Sequence, residues 1–386
     1  MARTRTQSLA GNIGFRTSTP PGTNTYDPAW TQVSAVCVDD TGAGDHSLGI
    51  EKSTLLTTPL TGTANNGLGV TYTWNGKYLE VNNGVRNYPS SGLHLVLPSP
   101  LSTNQMATIV MNRTNPSRAD VSIPNFVYEL KDLPGMLHDI MALKLGLRNK
   151  LLQRDPEKFL ANQYLSGVLG WRPFIGDLRK MMEFQSRVDR RVKELRHLYS
   201  SGGMRRSIKH GLDSASASYG VKNFNIFTSA NATIKCNLSV MTHRESWATV
   251  RWTPTSVPKD LTDIQLQKLA FSLVFGLNIQ PRYLWDALPW TWLIDWFTNI
   301  GDFLGSFSGV VPAVSSLPCI MTYTKTEAVL SRGNDVASGV AGGYGSFLRE
   351  SKVRAVGGAA LSASMPFLTA RQMSILGALA VQRFKR

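Results

Sequence analysis

Cysteine is scarce: Cys37, Cys236 and Cys319 are the only three in 386 residues. They stand far apart, with no Cys-x-x-Cys and no metal-ligand spacing. An odd number argues against a disulfide framework, and the three read as small buried apolar side chains. Charge is sparse too, at 17% of residues, and the deficit falls on one sign: 26 acids face 41 Lys and Arg, a formal net charge of +15. Few charges with so large an excess point to a polyanion partner, and RNA, DNA and an anionic membrane surface all suit at this level. Ser, Thr, Asn and Gly fill the place of the missing charges, as in β-rich chains with many turns. Residues 1–22 carry two early arginines but no apolar run after them, so no secretory signal is expected.

Catalytic motifs are missing as well. His46, His94, His138, His197, His210 and His243 show neither His-x-His nor His-x-x-x-His spacing. Gly305-Ser-Phe-Ser-Gly309 places Phe where a nucleophile elbow needs Ser. Neither a phosphate-binding Gly-Lys-Ser/Thr loop nor a dinucleotide fingerprint is present. No enzyme, no cofactor and no metal are therefore expected. Asn112-Arg-Thr114, Asn231-Ala-Thr233 and Asn237-Leu-Ser239 match glycosylation acceptors, but without a secretory signal they read as chance.

One apolar stretch dominates. From Pro281 to Phe307 the chain places Trp285, Trp290, Trp292 and Trp296 within twelve positions. A short segment led by Pro281 and a longer helix from Pro289 are expected. Trp290, Leu293, Ile294 and Phe297 recur at helical spacing, with Trp292, Trp296 and Phe303 on a second face, so the helix is expected to be buried. Asp286, Asp295 and Asp302 interrupt the run and disfavour a membrane span, so no stable membrane insertion is expected. The three aspartates read as helix caps or salt-bridge partners.

Along the chain the hydrophobic period changes in blocks. Residues 1–123 read as strands and turns. Val33–Val38, Val70–Trp74, Lys77–Val81, Leu93–Leu97 and Ala107–Met111 are strand candidates, and Asn75-Gly76 is a hairpin turn. Phe126 to Leu147 has helical spacing. Asp155-Pro156-Glu157 opens a second helix that ends near Gly170. A third, from Pro173, alternates steps of four and three through Val188, Val192, Leu195 and Tyr199, about 25 residues or roughly 40 Å. Ser200-Ser-Gly-Gly203 stops it. Residues 204–258 return to period two, 260–277 are helical, Cys319–Leu330 and Ser338–Phe347 read as β, and Pro366–Arg386 closes as a helix. Blocks rather than strict alternation imply α+β. An elongated body is expected, with a helical bundle and an antiparallel β-sheet region, both assembled from discontinuous segments. The β-rich region takes 1–124, 204–259 and 318–362, and the helical region takes 125–203, 260–317 and 363–386.

Basic residues cluster. Between Arg179 and Lys209 lie ten Lys and Arg against three acids. Arg179, Lys180, Arg187, Arg190, Arg191, Lys193 and Arg196 fall off the apolar stripe of the third helix, and Arg205, Arg206 and Lys209 follow it. A rigid helix carrying arginines at these spacings can line phosphates, which guanidinium groups bind in a bidentate fashion. A solvated face neutralised by Glu183, Asp189 and Glu194 is the plainer alternative. Arg371, Arg383, Lys385 and Arg386 repeat the theme at the C-terminus, where cations also suit the helix dipole.

Two stretches carry a resemblance. Asn162-Gln-Tyr-Leu-Ser-Gly-Val-Leu-Gly-Trp-Arg-Pro-Phe-Ile-Gly-Asp-Leu178 and Tyr283-Leu-Trp-Asp-Ala-Leu-Pro-Trp-Thr-Trp-Leu-Ile-Asp-Trp-Phe297 resemble segments of the maturation proteins of single-stranded RNA bacteriophages (levivirus type). The match covers about a third of the chain, all in the helical blocks. It implies a minor virion protein, one copy per particle, seated among coat protein subunits. Its helical end would hold the genomic RNA, including the 3′ region, and its β end would attach to a host pilus through pilin. It would enter the cell with the RNA. Trp171, Trp285, Trp290, Trp292, Asp295 and Trp296 would then be structural core, and the basic residues named above would bind RNA. The resemblance implies no receptor-binding residues, because the β blocks do not take part in it. Two other classes compete: a metal-dependent nuclease using Asp286, Asp295 and Asp302, and a cell-surface adhesin without nucleic acid.

Overall fold

The structure, a computed structural model, describes residues 2–10, 15–19, 25–26, 31–41, 46–57, 61–65, 69–75, 95–120, 156–165, 167–168, 175, 179, 183–227, 232–256, 262–278, 280–288, 290–332, 340–341, 345–363 and 368–384. The chain is α+β, with helices and antiparallel strands in separate blocks. It forms two compact units, each built from three stretches: 1–103, 209–248 and 319–357 in the first, and 104–208, 249–318 and 358–386 in the second. The helical reading of Phe126–Leu147, the Lys77–Val81 strand and Trp171 lie outside the described residues.

The first unit is mostly sheet. Strands β1 (Ala2–Ala10), β2 (Phe15–Thr19), β3 (Thr25–Tyr26), β4 (Thr31–Asp40), β5 (Leu48–Thr57), β6 (Thr61–Asn65) and β7 (Thr71–Asn75) open it. Later strands are β8 (Met204–Phe227), β9 (Ala232–Pro254), β10 (Ala313–Ser315), β11 (Cys319–Arg332), β12 (Val340–Ala341) and β13 (Gly345–Val356). The main sheet runs β1-β4-β5-β13-β11-β9, with β8 beside β9, and a smaller sheet runs β12-β6-β7-β2-β3. Strand β13 pairs with β5 across nearly the whole chain, Glu350 opposite Lys52 and Ser351 opposite Glu51. Alternation along β9 sets its buried face. Val240, Thr242 and Arg244 are inside while Ser239 and Met241 face out, as a half-buried strand requires. Thr242 Oγ1 lies 2.9 Å from Thr326 Oγ1, so a hydroxyl pair sits in this core satisfied rather than stranded.

Helices dominate the second unit, which also holds β10 and the end of β9 it pairs with, and the start of β8. Helix α1 is Thr103–Thr114, α2 is Pro156–Leu165, α3 is Phe184–Ser200 and α4 is Asp263–Val274. Pro281–Ala287, Thr291–Ile294, Ile300–Ser306 and Ala370–Phe384 are α5 to α8. Helix α2 starts on Pro156 with Glu157 in its first turn, as expected, and its expected end near Gly170 lies outside the described residues. Helix α3 packs on α4. Val188, Leu195 and Leu198 from one helix and Leu266, Ala270, Leu273 and Val274 from the other are buried. Each buried leucine contributes about 1.5–3 kcal/mol. A capping box opens α4: Thr262 Oγ1 accepts from Gln265 N, and Thr262 N donates to the Gln265 side chain.

Three expectations are corrected here. Ala107–Met111 is helix, not strand. Its β-branched residues favour strands, but Met106, Ala107 and Val110 share one buried face, and that burial outweighs local propensity. Leu95–Leu97 of the expected Leu93–Leu97 strand are irregular, and Leu95 N donates to Thr242 Oγ1. The tryptophan stretch is not one helix from Pro289 but α6 and α7 with breaks around them. Trp290 takes a left-handed conformation at φ 70°. After α6, Asn299 leaves the helical ladder and bonds Ser362 and Ala360 instead. Nor is the stretch all core: Trp290 is 45% exposed and Phe307 62%, whereas Trp252 on β9 is 3% exposed and donates to Thr114 Oγ1. Among the described residues no helix is long and apolar enough to cross a membrane.

Candidate functional site

The last turn of α1 and the loop after it, Asn112-Arg-Thr-Asn-Pro-Ser-Arg-Ala-Asp120, are pinned by hydrogen bonds of Asn112, Asn115 and Ser117. Asn115 Nδ2 donates to the carbonyls of Gly305, Ser306 and Ser308 at 3.3, 3.3 and 3.0 Å. Its Oδ1 accepts from Ser117 N at 2.8 Å, a turn that Asn favours. Ser117 Oγ accepts from Val311 N, and Gln280 donates to Ser117 O. Asn112, the supposed glycosylation acceptor, is buried and donates to Asp302 at 2.6 Å.

Helix α3 grips this loop through Arg191, which is only 6% exposed. Its guanidinium donates to the carbonyls of Pro116 and Arg118 and to Asp120 Oδ1 at 3.2 Å, and pairs with Glu194 at 3.3 Å. Arg206, near the start of β8, pairs with the same Glu194 at 2.7 Å and donates to Thr114 O. Between loop, helix and strand lies a cleft of about 340 Å³. Arg187, Arg190, Arg191 and Glu194 line it at i, i+3, i+4 and i+7, one face of α3. Arg113 and Arg118 line it from the loop and Arg206 from β8.

Six arginines thus meet two acids, Asp120 and Glu194, a formal excess of four positive charges. Both acids are held by Arg191 or Arg206. Among the described residues Arg113, Arg118 and Arg190 have no carboxylate at ion-pair distance. Arg187 pairs with Glu183 at 2.9 Å, yet its buried Nε has no hydrogen-bond partner among the described residues. Burial, and then the charges of Arg282 and Arg113, push the Arg118 guanidinium below its ordinary value. The cleft is an under-neutralised positive field, with Arg113, Arg118 and Arg190 exposed.

Of the expected basic residues, the structure brings Arg187, Arg190, Arg191 and Arg206 together. Arg191 is chiefly an organiser, since its donors are spent on the protein. Lys193 and Arg196 are exposed elsewhere on α3, and Arg196 pairs with Asp263 at 2.8 Å. Arg205 bonds Thr249, Lys209 pairs with Glu245 in the first unit, and Arg179 and Arg371 are exposed outside the cleft. Arg383 lies in α8, and Lys180, Lys385 and Arg386 fall outside the described residues. Sequence reasoning missed Arg113 and Arg118, because Ala107–Met111 read as a strand and basic clusters were evident only between Arg179 and Lys209 and at the C-terminus. Two arginines flanking Asn115-Pro116-Ser117 were the available signal.

No family model matches the chain, and no curated protein matches it.

The three aspartates of the tryptophan stretch sit in a separate network. Arg282 pairs with Asp286 at 3.0 Å and Asp302 at 3.3 Å. Asp295 accepts from Trp285 Nε1 at 3.2 Å and from Gly301 N at 3.1 Å, which caps the start of α7. Burial pushes the Asp286 carboxyl above its usual range in spite of Arg282. These are the capping and salt-bridge roles expected of them. Among the described residues no group of three or more His, Cys, Asp or Glu could share a metal ion.

Proposed function

We propose that this chain is a maturation protein of the single-stranded RNA phage type: a minor virion component, without catalytic activity, that holds the genomic RNA, attaches the particle to a host pilus and enters the cell with the RNA. The observation that carries the reading is the arginine cleft, since six guanidinium groups around two committed acids suit a phosphate. Support also comes from the two tryptophan-bearing segments and from the net charge of +15. The β-rich first unit, with many Thr and Ser on its strands, suits an exposed adhesive surface. Trp285 and Asp295 bond each other and brace α5 against α7, which fits a scaffolding role for that segment.

The test is RNA retention by the full chain across a salt series. Micromolar or tighter binding is expected, with affinity falling steeply as salt rises. Loss of each phosphate contact should flatten the log–log slope by about 0.7. A chain that carries no RNA at low salt, or that binds with no salt dependence, refutes the reading. Divalent-metal-dependent RNA cleavage that disappears in Asp295→Asn would replace it with the nuclease.

A further inference from the structure

We infer that the cleft seats the phosphodiester backbone of one RNA strand at two consecutive phosphates and does so without touching the bases. This rests on the RNA-binding reading above and sharpens it.

Size is the first reason. A volume of about 340 Å³ is that of a small-ligand pocket, so a duplex stays outside and a nucleotide-sized piece of single strand fits. Chemistry is the second. Among the described residues no aromatic side chain lines the cleft, so they offer no platform for stacking a base, the usual means by which proteins hold single strands. Donor type is the third. Among the described residues every cation at the cleft is arginine, whose planar fork matches two phosphate oxygens, and none is lysine. Commitment of the acids is the fourth. Arg191 and Arg206 engage Asp120 and Glu194, which leaves Arg113, Arg118 and Arg190 with no ion pair among the described residues. The buried Arg187 Nε, without a partner among the described residues, is the donor that an entering phosphate satisfies. Separated donors on the loop and on α3 suit two phosphates on one strand better than a single compact anion. Recognition is then independent of sequence and selective for a flexible backbone.

Calorimetry on the full chain tests this with four probes: ribose 3′,5′-bisphosphate, uridine 3′,5′-bisphosphate, uridine and inorganic pyrophosphate. The two bisphosphates should bind within twofold of each other, uridine should not bind, and pyrophosphate should bind at least fivefold more weakly. The double substitution Arg118→Gln with Arg190→Gln should weaken the bisphosphates at least tenfold. Lys268→Gln, which removes an exposed charge on α4, should leave them unchanged. Circular dichroism checks the double variant's fold, and Arg118→Lys with Arg190→Lys serves as a second, charge-preserving pair. The lysine pair should also lose at least threefold, because the fork is gone.

A tenfold preference for the uridine-bearing probe, tighter binding of pyrophosphate, or unchanged binding in the double variant overturns the inference. So does wild-type chain that holds RNA but takes up no bisphosphate, an outcome that leaves the maturation-protein reading standing. Failure of wild-type chain to hold RNA at all removes that reading and this one with it.

Discussion

Gly305 lies where a side chain is forbidden by its neighbour. A Cβ there would fall on Asn112 Oδ1, and Asn112 cannot retreat without giving up its bond to Asp302. Gly305→Ala should cost about 1–3 kcal/mol of stability, read as a lower urea midpoint. Gly358→Ala, which meets nothing within 4 Å, should change the midpoint little. Tyr323 makes a second prediction at this scale. Burial, together with the bond from its hydroxyl to Glu350 Oε1 at 2.7 Å, pushes the phenol up to about 12. An unfolded tyrosine ionises near 10. The fold therefore favours the protonated phenol, and this contribution is complete below pH 10 and lost as the pH rises from 10 towards 12. Titration at 295 nm should show a late-ionising tyrosine, besides the raised Tyr199 and Tyr283, that is absent in Tyr323→Phe.

Among the elements, α3 carries two duties on neighbouring faces. One face buries Val188, Leu195 and Leu198 in the contact with α4. The next presents Arg187, Arg190 and Arg191 to the cleft. Arg191 joins the two, because its buried guanidinium ties the 112–120 loop to the helix. Arg191→Met should remove these bonds and lower stability by about 2 kcal/mol in urea unfolding, while half-exposed Asp120 and Glu194 regain water. An unchanged midpoint would show the tie to be idle. The capping box of α4 is a smaller device: Thr262→Ala should cost about 1 kcal/mol. Much of this was legible. Pro156-Glu157 announced α2, period two announced β9, and the stripe of α3 named Val188 and Leu195. Phe184–Ser200 was foreseen as part of a longer helix, whose earlier residues mostly fall outside the described set. Helix α1 was illegible because Ile109 and Val110 carry strand propensity and only long-range burial makes them helical.

On the scale of the whole molecule, each unit is closed by chain segments far apart in sequence. Arg349 on β13 reaches Glu51 on β5, 298 positions away, at 2.9 Å. A chain ending at Pro318 loses β11 and β13, which stand between β5 and β9 in the main sheet. Such a truncation should abolish cooperative unfolding of the first unit, seen as lost amide protection in β4 and β5. Retained protection would mean that β1, β4 and β5 fold by themselves, which three strands achieve only with a covered apolar face. The sequence blocks changed character at 124, 204 and 259, whereas the compact units divide after 103, 208 and 248. Most of the first difference is α1, counted with the strands by its composition and with the helices by its packing.

Periodicity, turn residues and charge by themselves determined the α+β class, most element types and the excess of positive charge, because those depend on neighbours within a few residues. Tertiary structure alone decided that Arg191 is an internal strut, that Arg113 and Arg118 join Arg187, Arg190 and Arg206 around one cleft, and that the tryptophan stretch breaks at Trp290 and Asn299. All of these outcomes but the break at Trp290 turn on a partner distant in sequence: the 112–120 loop, the α3 face, or the carbonyls of Ala360 and Ser362. Local spacing carries no record of such partners, whereas desolvation and hydrogen-bond satisfaction depend on them entirely.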